Sequence, residues 1–152
     1  MIVDTSVWID FFAGGDTWQV GLLAQQLDDE QPVGLTDIVY AEILQGIKDD
    51  GVLLGVERQL LALDIVGLEG LGDFGNAAQL YRAARRQGLT IRRTADCLIA
   101  TVCVREDRPL LHKDVDFEHL AAVSPLRLVK QPSGVSEPAA PSAPPVGSPD
   151  TR

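Results

Sequence analysis

The chain has 152 residues, 45% of them apolar, with a formal net charge of −9 and two cysteines. That length holds one domain with a substantial hydrophobic core, and no apolar run approaches the ~20 residues that span a bilayer. The acidity excludes indiscriminate coating of nucleic acid, which a negative protein repels. It does not exclude an acidic site filled by cations. Five of the thirteen basic residues also cluster, as Arg82, Arg85, Arg86, Arg92 and Arg93. The opening Met1-Ile2-Val3-Asp4 lacks a basic n-region and a signal-like apolar stretch, so the expectation is a cytoplasmic protein with no membrane association.

Ile2-Val3 reads as a short buried strand, and Thr5-Ser6 as the cap of a helix carrying Val7, Trp8, Phe11 and Phe12. Helical sequence follows over 18–27, then a strand over 32–35. Thr36-Asp37 caps a helix over 38–48, stopped by Asp49-Asp50-Gly51, and another helix covers 53–63. Ile65-Val66 reads as a strand, and 76–87 as a basic amphipathic helix closed by Gly88. Thr94 caps a nearly all-apolar helix to Val104. Strands over 109–112 and 126–129 flank a short helix over 116–120. Alternating strands and helices argue for an α/β fold with a parallel sheet covered on both faces. Cys97 and Cys103 sit about 240° apart on one helix and are expected as buried free thiols. Trp8 and Trp18 both suit a partner interface, though core packing suits Trp8 better.

Composition changes near Gln131. Six of the nine prolines lie beyond it, among Ser, Ala and Gly. Such a segment buries too little apolar surface to offset its ordering entropy. The expectation is a domain over 1–130 and a disordered tail over 131–152.

In open α/β sheets ligands bind beyond the carboxyl ends of the strands, and there this sequence places acids. Asp4 ends the first strand, where it also suits helix capping. Glu42 shares a helix face with Ile38 and Val39, a costly place for an unpaired charge. Asp96 stands in the first turn of the apolar helix, where the helix dipole favours it, and Arg92-Arg93 leads into it. Asp114 and Asp116 follow the strand over 109–112; Asp116 suits capping of the next helix, and Asp114 has no comparable local task. His112 reads as a packed residue and His119 as an exposed one. Several carboxylates in one pocket raise each other's pKa values, and divalent cations remove that penalty. Oxygen-only donors suit Mg²⁺ or Mn²⁺ rather than zinc, and such sites hydrolyse phosphodiesters by activating water and stabilising charge on the phosphate.

Four strings carry a resemblance. They are Ile2-Val3-Asp4-Thr5-Ser6-Val7-Trp8-Ile9-Asp10, Ala41-Glu42-Ile43-Leu44-Gln45-Gly46-Ile47, Thr94-Ala95-Asp96-Cys97-Leu98-Ile99-Ala100 and Leu111-His112-Lys113-Asp114-Val115-Asp116-Phe117. In this order and at this spacing the chain resembles the PIN-domain ribonucleases, and among them the VapC toxins of toxin–antitoxin pairs. The resemblance implies a PIN-like α/β/α sandwich and Mg²⁺-dependent cleavage of RNA to 5′-phosphate and 3′-hydroxyl ends. It implies acidic site residues at Asp4, Glu42, Asp96 and Asp114, with metal held by Asp4, Asp96, Asp114 and, as an auxiliary, Asp116. Thr5 or Ser6 would position an acid or the attacking water. It also implies a homodimer and a cognate VapB-type antitoxin, whose basic side chain would suit the acidic pocket. The five clustered arginines are candidates for guiding the RNA backbone, or equally a solvated helix face.

Three other readings fit the residues less well. A phosphatase with a nucleophilic Asp wants a second acid two residues on, where Ser6 stands. A receiver-type signalling domain wants a phospho-accepting Asp at a central strand end and a lysine at a later one; Lys113 merely adjoins Asp114. A PIN-like module that binds RNA or protein without catalysis would have lost acids that are all present here.

Overall fold

The computed structural model describes residues 1–133. Four strands, β1 (Ile2–Val3), β2 (Gly34–Thr36), β3 (Asp64–Val66) and β4 (Leu110–Leu111), form one sheet in the order β3-β2-β1-β4. All pairings are parallel, with Ile2 opposite both Gly34 and Leu110. The helices are α1 (Thr5–Phe12), α2 (Trp18–Asp28), α3 (Asp37–Gly46), α4 (Asp50–Leu61), α5 (Gly70–Arg86), α6 (Thr94–Arg105) and α7 (Val115–Ala121). Successive strand residues face opposite sides of a sheet. Ile2 and Val3 are both fully buried, as are Leu110 and Leu111, so both faces are covered. This is the expected sandwich. Trp8 joins the core, stacked on Phe12 with ring centres 5.8 Å apart, and both cysteines are free and buried. No described helix is long and apolar enough to cross a membrane.

Several local expectations need correction. The cap of α1 is Asp4, and the residue before α6 in the cap position is Arg93 rather than Thr94. Asp114, not Asp116, caps α7, accepting from the Asp116 backbone N–H at 3.0 Å. Thr36 does cap α3, through the Val39 N–H at 3.1 Å. That helix stops at Gly46, and α4 starts at Asp50 because Asp49 caps it. Helix α5 begins six residues before the expected 76. Gly70, Gly72 and Gly75 hide it by their low helix propensity. The tertiary structure restores it: Asp73 accepts from the Glu69 N–H at 2.7 Å and pairs with Arg105 of α6.

The expected strand over 126–129 is a single parallel bridge between Leu110 and Leu128. Leu110 donates to Arg127 O and accepts from the Val129 N–H, both at 2.9 Å; β4 is itself two residues long, so no ladder extends further. Gly34 is needed where it stands: a Cβ there would lie 2.6 Å from Arg108 Nη2 and 2.8 Å from the Asp64 carbonyl. Of the expected tail, residues 134–152 lie outside the described residues.

Candidate metal centre

Parallel strands deliver their carboxyl ends to one edge, and the acids gather there. Asp4 leaves β1, Glu42 stands on α3 beyond β2, Asp96 opens α6, and Asp114 and Asp116 follow β4. Carboxylate oxygens of Asp96, Asp114 and Asp116 lie within 4.8 Å of one another. Asp4 is not one of these three, but its charge bears on Asp96 and that of Glu42 bears on Asp4.

Each acid is held differently. Asp4 is 1% exposed. Its Oδ2 accepts from the Ser6 N–H at 3.1 Å and the Ser6 hydroxyl at 2.6 Å. Its Oδ1 is buried without a hydrogen-bond partner among the described residues. Burial pushes the Asp4 carboxyl above its ordinary pKa and Glu42 adds to the shift, while the Ser6 bonds oppose it. Glu42 accepts from the Thr5 hydroxyl at 2.5 Å, and its other oxygen takes Arg93 Nη1 at 3.3 Å. Asp96 is fully buried and accepts from Arg93 Nη2 at 2.8 Å. Its pKa is also raised, first by burial and then by Asp4 and Asp114, against the opposing pull of Arg93. Asp116 accepts from the Arg92 backbone N–H at 2.8 Å and from its Nε, and the same guanidinium reaches Asp114.

The clustered arginines therefore divide. Arg92 and Arg93 lie on the acids, whereas Arg82, Arg85 and Arg86 are exposed on α5 and form no ion pair with the cluster among the described residues. The sequence placed Arg92-Arg93 beside Asp96 but gave no sign that they also span Glu42, Asp114 and Asp116, which arrive from distant segments. His112 is packed, as expected, with Nδ1 2.9 Å from the Asp114 carbonyl and its ring against Phe117. His119 is half-buried rather than exposed, its Nδ1 3.1 Å from the Thr90 carbonyl.

The donor set fits a hard divalent cation. With all five carboxylates ionised, two guanidiniums leave a negative excess, and every candidate ligand atom is an oxygen. The orphaned Asp4 Oδ1 is the sharper sign. Leaving a buried charged acceptor unsatisfied costs more than a neutral one, and a cation would satisfy it.

A family model for the PIN domain matches residues 1–123. A VapC ribonuclease of Mycobacterium bovis is 33% identical over 128 residues, covering 84% of this chain and 96% of that protein. The chain belongs to the VapC ribonucleases of the PIN-domain family. Ribonuclease VapC11 of Mycobacterium tuberculosis is similar to the same degree, 33% over 128 residues with the same coverage. The solved structure of VapBC2 from Rickettsia felis, bound to a DNA fragment from its promoter, shares the fold with a TM-score of 0.66 at 18% identity. It covers 84% of this chain and 96% of that one. A PIN domain is a metal-dependent nuclease, and this one carries the acidic cluster that such dependence requires.

Proposed function

We propose that this PIN domain is an endoribonuclease toxin that uses Mg²⁺, with Mn²⁺ as a substitute, and is neutralised by a cognate VapB-type antitoxin. The observation that carries the reading is the buried, unpartnered Asp4 Oδ1, whose charge bears on the Asp96 member of the Asp96, Asp114 and Asp116 cluster. In this reading residues 1–130 are the catalytic domain, working as a homodimer in the cytoplasm, and RNA is cut to 5′-phosphate and 3′-hydroxyl ends.

Asp4, Asp96 and Asp114 would hold the metal, with Glu42 and Asp116 completing its surroundings. Bound there, a divalent ion lowers the pKa of water and offsets charge on the phosphate. The chain does the rest by positioning. Ser6 clamps Asp4 Oδ2, which leaves Oδ1 as the donor. Thr5 fixes Glu42 through Oε2, so the carboxylate presents one defined oxygen. Arg93 neutralises Glu42 and Asp96, and Arg92 neutralises Asp114 and Asp116, so the pocket tolerates its own charge. Both guanidiniums are half-exposed or more, which leaves them free to turn from carboxylate to RNA phosphate. The antitoxin would meet the same negative pocket with a basic side chain.

The test is sequencing of RNA ends after expression of the wild type and of Asp4→Asn. New 5′-phosphate ends should appear with the wild type, require Mg²⁺ or Mn²⁺ when purified protein is used, and vanish with the variant. Wild-type protein that generates no such ends would overturn the reading.

A further inference from the structure

Along the carboxyl edge of the sheet basic groups join the acids on one side. Over β1 and β2 the edge is acidic, with Asp4 and Glu42. Past β4 Lys113 stands beside Asp114 and Asp116, and past the bridge at Leu128 comes Lys130. Because these segments run parallel, both lysines emerge on the same rim as the acids. A cleft of about 370 Å³ at the cluster, lined by Ser6, Arg92, Lys113, Asp114 and Val115, opens there. A larger cavity of about 660 Å³ shares Lys113, Asp114 and Val115 with that cleft and runs on to Trp18 and Lys130. Its volume falls in the usual range of built ligand sites, about 300–1,000 Å³.

The lining has the chemistry of a nucleotide. Trp18, first residue of α2, is half-buried, packs against the edge of the core and lines the cavity. Its position is set by the next residue, since Gln19 Nε2 donates to the His112 carbonyl at 3.2 Å and ties α2 to the exit of β4. Of the acids in the lining, Asp114 is paired with Arg92, and Glu118 Oε1 lies 3.4 Å from His112 Nε2. Lys113, which lines both cleft and cavity, pairs with Asp10 of α1. An aromatic face flanked by lysines, continuous with a phosphodiester-cleaving centre, is how proteins hold single-stranded nucleic acid.

We propose that the cavity beyond β4 is a subsite for single-stranded RNA, in which Trp18 stacks on a base beside the cleavage point while Lys113 and Lys130 hold flanking phosphates. This rests on the ribonuclease reading and adds the path and strandedness of the substrate. A duplex is excluded from such a subsite because its bases are not free to stack on the indole. Stacking tolerates any base, so the subsite contributes affinity rather than sequence choice.

The test is equilibrium binding of a fluorescein-labelled 12-nucleotide RNA of randomised sequence to the full chain in Mg²⁺, in an Asp4→Asn background that blocks cleavage. Trp18→Ala should weaken binding about 10-fold and Trp18→Phe less than about 3-fold, as expected of a stacking contact. Lys130→Ala should lower the slope of log affinity against log salt by about 0.7, the value for one phosphate of a single strand. Thermal melting checks the fold, and should Trp18→Ala unfold, Trp18→Phe and Lys130→Ala decide the matter. Binding within twofold for folded Trp18→Ala, with an unchanged salt slope for Lys130→Ala, overturns the subsite. Loss of antitoxin binding without loss of RNA binding also overturns it. Because the ribonuclease reading is judged by new ends from the wild type, the two can fail separately.

Discussion

Two buried aspartates of this molecule, Asp4 and Asp73, are 1% and 4% exposed, yet they are built for opposite ends. Asp73 takes the Glu69 N–H and the Arg105 guanidinium, which also donates to the Gly67 carbonyl at 2.8 Å. No oxygen of Asp73 is left buried without a partner among the described residues. Both Asp73 bonds fall on Oδ2, as both Asp4 bonds from Ser6 do. Among the described residues, however, Asp4 has no cation paired with it and its Oδ1 is buried without a partner, with the charge of Glu42 bearing on it. Asp73 with Arg105 joins α5 to α6; in the proposed reading Asp4 Oδ1 would instead be stabilised by a bound cation. The lesson is that burial of an acid says little by itself, and whether each of its oxygens reaches a donor or solvent says more.

The largest separation between the two should appear in activity. Asp4→Asn should lower RNA cleavage about 10³-fold, corresponding to the loss of several kcal/mol of metal-mediated stabilisation, whereas Asp73→Asn should leave the rate of the folded enzyme within a few-fold. Initial rates at saturating Mg²⁺ check this, and equal losses would erase the distinction.

Acidity gives the next effect. Asp4 and Asp96 hold their protons above the ordinary carboxylate value of 3.8. Between that value and the folded-state pKa values the native protein binds more protons than the unfolded chain, so the metal-free fold loses stability as pH rises through that window. Divalent metal binds the deprotonated form. The Mg²⁺-induced gain in melting temperature should therefore grow over the same window and level off above it. At a hundredfold excess over Kd the gain is about 2.7 kcal/mol, roughly 10 °C for a domain of this size. Calorimetry across pH measures it, and Asp4→Asn should lose most of it.

Stability then sharpens the Asp73 side. Asp73→Ala should cost about 2 kcal/mol in urea unfolding, below the range for a fully buried pair because Arg105 retains 23% exposure. No loss would mean that the junction of α5 and α6 does not depend on this pair. The smallest effect belongs to Arg93. Its guanidinium occupies oxygens of Glu42 and Asp96 that lie in the metal pocket, so Arg93→Ala should tighten Mg²⁺ binding by less than about 5-fold, as befits a half-exposed pair. Titration of the melting temperature with Mg²⁺ reads it, and weaker binding would assign Arg93 a supporting role instead.

Much of the site was legible in the chain because its acids stand directly after strands or in the first turns of helices. Asp4 after Ile2-Val3 and Asp96 before an apolar helix are local patterns. The partners were not legible. Thr5 meets Glu42 across 37 positions and Arg93 meets it across 51, and nothing short-range announces either contact. Asp73 carries no local signal, because the glycines around it hide the start of α5, and nothing short-range places Trp18 beside a cavity.

Residue order by itself determined the alternation of strand and helix, hence a parallel sheet whose carboxyl ends share an edge, since hydrophobic period and capping are short-range properties. Tertiary structure alone decided which acids are satisfied by the protein and which are not. That depends on the pairing of side chains from remote segments under desolvation, and sequence separation carries no information about it.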